Sequence, residues 1–149
     1  DLQEEVAAKV MSELRPIACR TKRYIREQLA RFGMDLMGTT QAHPYLAKIH
    51  GPASTAVLMR TIAGGVKTLM QAGLDGERAL AIFTVVTSLA HAWGLRDAIP
   101  RSPELQARIG EASLKEFEEL LPVFRKFPDK TAPALYRRWF LLCIDGLLP

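Results

Sequence analysis

The stretch Asp75–Trp93 reads DGERALAIFTVVTSLAHAW, and it decides how the rest of the chain has to fold. Asp75 to Arg78 predict a turn, and no charged residue follows between Ala79 and Trp93. Apolar side chains then point in every direction around the predicted helix: Leu80, Ile82, Phe83, Val85, Val86, Leu89 and Trp93. A helix that is apolar all round must be covered on all sides, whereas a surface helix has one apolar stripe. We therefore expect this helix to be either the centre of the core or shared with a partner subunit.

The apolar stretch is shorter than the roughly 18 to 20 residues that cross a bilayer, so we expect that it does not span a membrane. The N-terminus is acidic and amphipathic and lacks an apolar h-region, so we expect no signal peptide and a cytoplasmic protein. Cys19 and Cys143 lie far apart without metal-binding spacing, and they are predicted to be reduced core residues. Asp1 is not a natural first residue, so we expect the chain to be part of a longer protein.

Composition predicts one globular domain over residues 1–149, with 48% hydrophobic and 24% charged residues. The net charge of +4 raises the question of nucleic-acid binding. The early basic residues are spread around a helix and have no interleaved aromatic residues, which favours a solvated face over a phosphate-binding track. These residues are Arg15, Arg20, Lys22, Arg23, Arg26 and Arg31.

Helical periodicity recurs along the chain and no strand pattern appears, so the predicted fold is an all-α bundle of about six to nine helices. A glycine stop followed by Asp75 as N-cap predicts a tight joint at residues 71–75. Gly64-Gly65 in mid-helix indicates close packing, a kink beside a cavity, or plain tolerance. The predicted helices carry Leu2–Leu14, Ile25–Leu36, a short segment from Pro44 to Ile49, Leu58–Leu69 after Pro52, Ala79–Trp93, a capped start at Ser102, Leu114–Phe124, and Tyr136–Leu147.

The histidines are the main candidates for chemistry. His43 and His50 are seven residues apart across Pro44, which is not the spacing of a metal-binding pair on a helix. His91 lies one turn from Thr87 and two from Phe83, so it is either a hydrogen-bonded core histidine or a polar anchor in an apolar ligand pocket. No catalytic or nucleotide-binding motif and no inward pair of carboxylates occurs, so we expect no enzyme activity, no metal and no cofactor. Methionine pairs on two helices make a cavity plausible: Met34, Met37, Met59 and Met70.

Four stretches resemble the C-terminal ligand-binding and dimerisation domain of the TetR family of bacterial transcription regulators. DLQEEVAAKV (residues 1–10) resembles the helix that leads out of the family's DNA-binding domain, and QAHPYLA (41–47) resembles its AHP-x-LA helix break. QAGLDGERA (71–79) resembles the joint before its dimerisation helix, and RRWFLLCIDGL (137–147) resembles its closing helix. The family's N-terminal helix-turn-helix has no counterpart in the chain. The segment from Ala98 to Pro128 is also longer than the simplest family members need.

The resemblance implies a homodimer, a small apolar or aromatic ligand, and DNA binding only through an N-terminal domain that is absent here. The expected pocket residues are Phe32, Leu36, Met37, Met59, Ile62, Val66, Phe83, Thr87 and His91. The expected contacts of a four-helix dimer interface are Ile82, Val86, Leu89, Trp93, Tyr136, Phe140, Cys143 and Leu147. The alternative is a structural oligomerisation or protein-interaction module without a pocket. A buried cavity with convergent polar groups favours the sensor, and a solid core favours the module.

Overall fold

The computed structural model describes residues 2–48, 51–98 and 133–148, which form five α-helices and one 3-10 helix. Within these ranges there is no strand, so the all-α prediction is confirmed. The expected total of six to nine helices stays a prediction, because the Ser102 helix start and the Leu114–Phe124 stripe lie outside the described residues. The helices are α1 (Leu2–Ser12), α2 (Lys22–Ala42), the 3-10 helix (Pro44–Lys48), α3 (Pro52–Gln71), α4 (Gly76–Ala98) and α5 (Pro133–Leu147).

The core lies where α2, α4 and α5 meet, with α2 packed chiefly against α4. Gly33 of α2 lets the ring of Phe140 approach closely, since a Cβ built there would lie 2.8 Å from a ring carbon. Each fully buried large apolar side chain stabilises the fold by about 1.5–3 kcal/mol. Those of the three helices are Ile25, Leu29, Phe32, Ile82, Phe83, Val86, Tyr136, Phe140 and Ile144.

The joint between α3 and α4 has the predicted chemistry. Gly73 adopts a φ of +104°, which costs a glycine little because it has no Cβ. The N–H groups of Gly73 and Leu74 donate to the carbonyls of Met70 and Leu69 at 3.0 and 3.1 Å, which is the Schellman arrangement that ends a helix. Asp75 Oδ1 then accepts from the backbone N–H of Arg78 at 3.0 Å, so the predicted N-cap of α4 is confirmed.

Within the protomer, helix α4 is covered on one face only, so it is not a central core helix surrounded on all sides; the alternative, that a partner subunit shares this helix, stays a prediction. Ala79, Ile82 and Val86 on the packed face are fully buried, whereas the side chain of Leu80 is 49% exposed. The open side needs no burial because its residues are mostly small or carry hydroxyl groups. The exposed members are Ala81, Thr84, Ser88 and Ala92.

The prediction that the apolar stretch of α4 is too short to cross a membrane is also wrong. Gly76–Leu95 has 20 residues and a mean hydropathy of 1.3, so it is long and apolar enough to cross a bilayer by length and composition alone. Core helices meet the same criterion, and α4 has a face packed against α2.

Helix α1 lies against α3 and is tied to its first turn. Glu4 Oε1 accepts from the backbone N–H of Ala53 at 2.6 Å, so a carboxylate from one helix caps the positive end of the other. The loop after α1 is held on α2 through Arg31, which donates to the Pro16 carbonyl at 2.7 Å and pairs with Asp35 at 2.9 Å.

Several of the early basic residues form ion pairs within the protein. Arg15 pairs with Asp35 at 3.0 Å, and Arg26 of α2 pairs with Asp145 of α5 through two hydrogen bonds of 2.5 and 2.8 Å. This double contact raises the pKa of Arg26 and lowers the pKa of Asp145. Because both groups are exposed, such pairs mainly fix the register of the two helices.

Candidate functional site

A cavity of about 600 Å³ separates α1 and α3 from α2 and α4. The 3-10 helix contributes one wall residue, Leu46. Most of the wall is apolar, and its large members come from all four helices. They are Met11, Leu14, Phe32, Leu36, Leu58, Ile62, Phe83 and Leu95.

Uncharged polar groups form a second part of the wall. The hydroxyls of Thr61 and Thr87 donate to carbonyls of their own helices at 3.0 Å, so their hydrogens are already used. The hydroxyls of Thr55, Thr84 and Ser88 have no hydrogen-bond partner among the described residues, and these residues are exposed at the cavity. The described lining contains no charged side chain, so the cavity offers hydrogen bonds but no counter-charge to a ligand.

His91 is the one ionisable group of the described lining. Its Nδ1 lies 3.4 Å from the hydroxyl of Thr40, and that hydroxyl is 3.0 Å from the carbonyl oxygen of Leu36. Thr40 is only 1% exposed, because it lies under Gly94 where α2 and α4 approach closely. Burial lowers the pKa of His91, so the imidazole is neutral at neutral pH.

A close contact between α3 and α4 shapes the floor of the cavity. A Cβ built at Gly65 would lie 2.2 Å from a ring carbon of Phe83, so only glycine allows the ring to lie there. The Phe83 ring also packs on Phe32 of α2, with 5.3 Å between centroids. Close packing is therefore the explanation for Gly65. No atom of the described residues lies within 4 Å of a Cβ built at Gly64, so close packing within this part of the chain does not explain this glycine.

Six of the nine expected pocket residues line the cavity: Phe32, Leu36, Ile62, Phe83, Thr87 and His91. Met37 does not, because it is buried in the α2–α4 contact. Met59 and Val66 face a separate shallow groove on the outside of α3, together with Met70 and Leu80. They point about a quarter turn away from the cavity, since helix residues are spaced by 100°.

The sequence predicted that the first helix borders the pocket, but it named none of the wall residues there and missed most of the hydroxyl groups. Ala7, Met11 and Leu14 line the cavity from α1 and the loop after it. On α4, Thr84 and Ser88 are one turn apart and precede His91. The sequence does carry a signal for this face: hydroxyl residues one turn apart in an otherwise apolar helix indicate a side that is not packed in an apolar core.

The expected dimer contacts fall into two groups. Ile82, Val86, Tyr136 and Phe140 are fully buried within the protomer, so they belong to its own core and are corrected as interface residues. The others are half-buried: Leu89, Trp93 and Leu147 pack on that core, and Cys143 is half-buried without being part of it.

An apolar surface remains where α4 and α5 lie side by side. The ring centroids of Trp93 and Trp139 are 5.6 Å apart, which joins the outer faces of the two helices. Leu142 is 60% exposed on this surface. We call it the α4–α5 surface, and its residues are Val85, Leu89, Trp93, Leu135, Trp139 and Leu142.

The other histidines do not join this site. Nδ1 of His43 lies 3.3 Å from the Tyr45 hydroxyl, and His43 does not line the cavity. His50 lies outside the described residues. In the described ranges no three His, Cys, Asp or Glu side chains come together in a way that could hold a metal ion.

Comparison of the chain with known proteins finds no matching family model, no matching curated protein and no matching solved structure. The function therefore has to be argued from the residues of the cavity and of the α4–α5 surface.

Proposed function

We propose that this chain is the small-molecule-sensing and dimerisation domain of a TetR-like bacterial transcription regulator, a cytoplasmic repressor. In this proposal, a ligand in the cavity alters the DNA affinity of an N-terminal helix-turn-helix that belongs to the longer protein. The observation that carries the proposal is the cavity itself, because a wall with convergent polar groups is what distinguishes a sensor from a solid bundle.

The size and chemistry of the cavity support a small, largely apolar or aromatic ligand. About 600 Å³ is within the usual 300–1,000 Å³ of small-molecule sites. Helix α1 and the loop that follows it contribute Ala7, Met11 and Leu14, so a bound ligand touches α1 directly. A ligand that fits one position of α1 better than another shifts the population towards that position. This gives the signal a physical route to whatever precedes α1.

Dimerisation is proposed to use the α4–α5 surface instead of the core residues expected from the sequence. Leu89 and Trp93 stay in this proposal, and Leu142 becomes its most exposed member. Two helices from each subunit, related by a two-fold axis, would form a four-helix bundle and cover these apolar side chains.

One observation favours the alternative of a protein-interaction module. The shallow groove on the outside of α3 exposes Met59, Met70 and Leu80 by about half of their surface. Exposed apolar patches of this kind often mark protein contacts. The two functions differ in what they require: the sensor needs an accessible cavity, whereas the module needs none.

The test is a thermal-shift screen with neutral one-ring and two-ring aromatic compounds on the purified chain. Ser88→Trp places a large side chain at the cavity from an exposed position, and it should abolish the stabilisation by ligands. Ala81→Trp is the matched control, because Ala81 is exposed on the same helix and does not line the cavity. Equal stabilisation of both variants would place binding elsewhere. No stabilisation of the unmutated chain by any compound would favour the interaction module.

A further inference from the structure

The hydrogen of the Thr40 hydroxyl is assigned to the nearer of its two possible acceptors. A hydroxyl carries one hydrogen, and the carbonyl oxygen of Leu36, 3.0 Å away, can only accept. The Thr40 oxygen is then left as an acceptor towards Nδ1 of His91 at 3.4 Å. Donation to Nδ1 would need the other tautomer of His91 and the longer distance, so the shorter contact to the helix carbonyl favours this direction.

This direction selects one tautomer of His91. The Nδ1 atom faces an acceptor, so the hydrogen of the neutral ring lies on Nδ1 and the Nε2 atom carries a bare lone pair. No described residue donates to Nε2, and among the described residues no fully buried side-chain nitrogen or oxygen is without a partner. The Nε2 atom is therefore accessible at the cavity as an acceptor.

We propose that the ligand of this cavity is an uncharged molecule whose O–H or N–H group donates a hydrogen bond to Nε2 of His91. The inference rests on the proposed sensor function and specifies the chemical class of its ligand. The body of the ligand is apolar or aromatic, and its polar end lies at α4, near the hydroxyls of Thr84 and Ser88.

The rest of the wall argues against charged ligands. A carboxylate would direct its lone pairs at the lone pair of Nε2, and the described lining offers it no cation. An ammonium group would find no carboxylate there, and burying an unpaired charge is strongly unfavourable. Burial also keeps His91 neutral by lowering its pKa, so the ring does not supply the missing positive charge at neutral pH.

The experiment compares three two-ring probes by isothermal titration calorimetry at neutral pH. The probes are 2-naphthol, its methyl ether 2-methoxynaphthalene, and the carboxylate 2-naphthoate. We expect 2-naphthol to bind roughly three- to tenfold more tightly than the ether, which is the effect of one neutral hydrogen bond. We expect 2-naphthoate to bind more weakly than both.

Two substitutions of His91 test the roles of its two ring nitrogens separately. A glutamine amide reaches about as far as Nε2, whereas an asparagine amide reaches about as far as Nδ1. His91→Gln should therefore keep part of the preference for 2-naphthol, and His91→Asn should lose it. His43→Gln is the matched control and should leave the preference unchanged, because His43 does not line the cavity.

A measurement on the unmutated chain does not depend on the folding of any variant. Long-range proton–nitrogen NMR spectra should identify a histidine with its hydrogen on Nδ1, whose Nε2 signal shifts on addition of 2-naphthol. A hydrogen on Nε2 in the free protein would overturn the inference.

The outcomes also separate the two proposals. Equal affinity for 2-naphthol and its ether would refute the hydrogen bond but leave the cavity as an aromatic binding site. The same refutation follows if His91→Asn keeps the full preference. Failure of all three probes to bind would remove the support for the sensor function and, with it, this inference.

Discussion

Replacing Gly65 by alanine adds a methyl group where the ring of Phe83 already lies. The added Cβ would be 2.2 Å from one ring carbon and 2.5 Å from the next, far inside van der Waals contact. Phe83 is fully buried and its ring packs on Phe32, so within the core it can withdraw only towards the cavity that it lines. Gly64→Ala is the matched control in the same helix, because nothing lies within 4 Å of its added Cβ.

The magnitude follows from two opposing effects. Alanine favours a helix interior over glycine by about 1 kcal/mol, and both variants share this gain. Only Gly65→Ala also overpacks the core, at a cost of about 1–3 kcal/mol. Gly64→Ala should therefore raise the free energy of unfolding by about 1 kcal/mol. The free energy of unfolding of Gly65→Ala should be about 1–3 kcal/mol lower than that of Gly64→Ala.

Urea unfolding followed by circular dichroism at 222 nm measures both variants under the same conditions. The double substitution Gly65→Ala/Phe83→Leu removes the ring and should recover part of the loss, since contacting residues are not additive. If Gly65→Ala is as stabilising as Gly64→Ala, the close approach of α3 and α4 is refuted. The account also fails if the double variant loses the full sum of the single effects.

Three further predictions concern protonation, assembly and DNA. Because burial lowers the folded-state pKa of His91, the unfolded chain binds more protons just below the usual histidine pKa. Stability present above that value is therefore lost as pH falls through the window, and urea unfolding of His91→Gln should lack this loss; equal slopes would contradict it. Leu142→Arg should convert the dimer to monomer in sedimentation velocity without destabilising the fold, whereas Met59→Arg, at a similarly exposed position, should stay dimeric. A monomeric unmutated chain at micromolar concentration would refute the dimer. Fluorescence anisotropy should show weak, salt-sensitive DNA binding without sequence preference, and tight binding to one duplex over others would contradict this.

The end of α3 and the start of α4 were predictable because residues next to each other in the sequence determine them. Asp75 caps α4 and Gly73 ends α3 through backbone geometry that the sequence alone specifies. The burial of the different sides of α4 was not predictable in the same way. The apolar count of α4 indicated burial on all sides, but Ala81, Thr84 and Ser88 tolerate exposure that larger apolar residues would not.

The candidate site was predictable on α4 and less so elsewhere. The spacing by four residues predicted that Phe83, Thr87 and His91 share one face of α4, and all three line the cavity. The sequence does not show which side of α3 faces the cavity, because both sides carry apolar residues. Met59 and Val66 were expected on the cavity side, and they lie on the outer groove instead. The partner of His91 is Thr40, which is 51 positions away in sequence and reaches it only through the close α2–α4 contact at Gly94.

The division of α4 into a packed face and a cavity face has a consequence for how such a protein evolves. Val86 and Ala90 hold the fold, whereas Thr84 and Ser88 on the other side touch the cavity and nothing that the core depends on. If the chain is the proposed ligand sensor, substitutions at the second pair can alter ligand preference while the free energy of unfolding stays nearly constant. A lineage can therefore change what it responds to by single replacements, without first acquiring a compensating gain in stability.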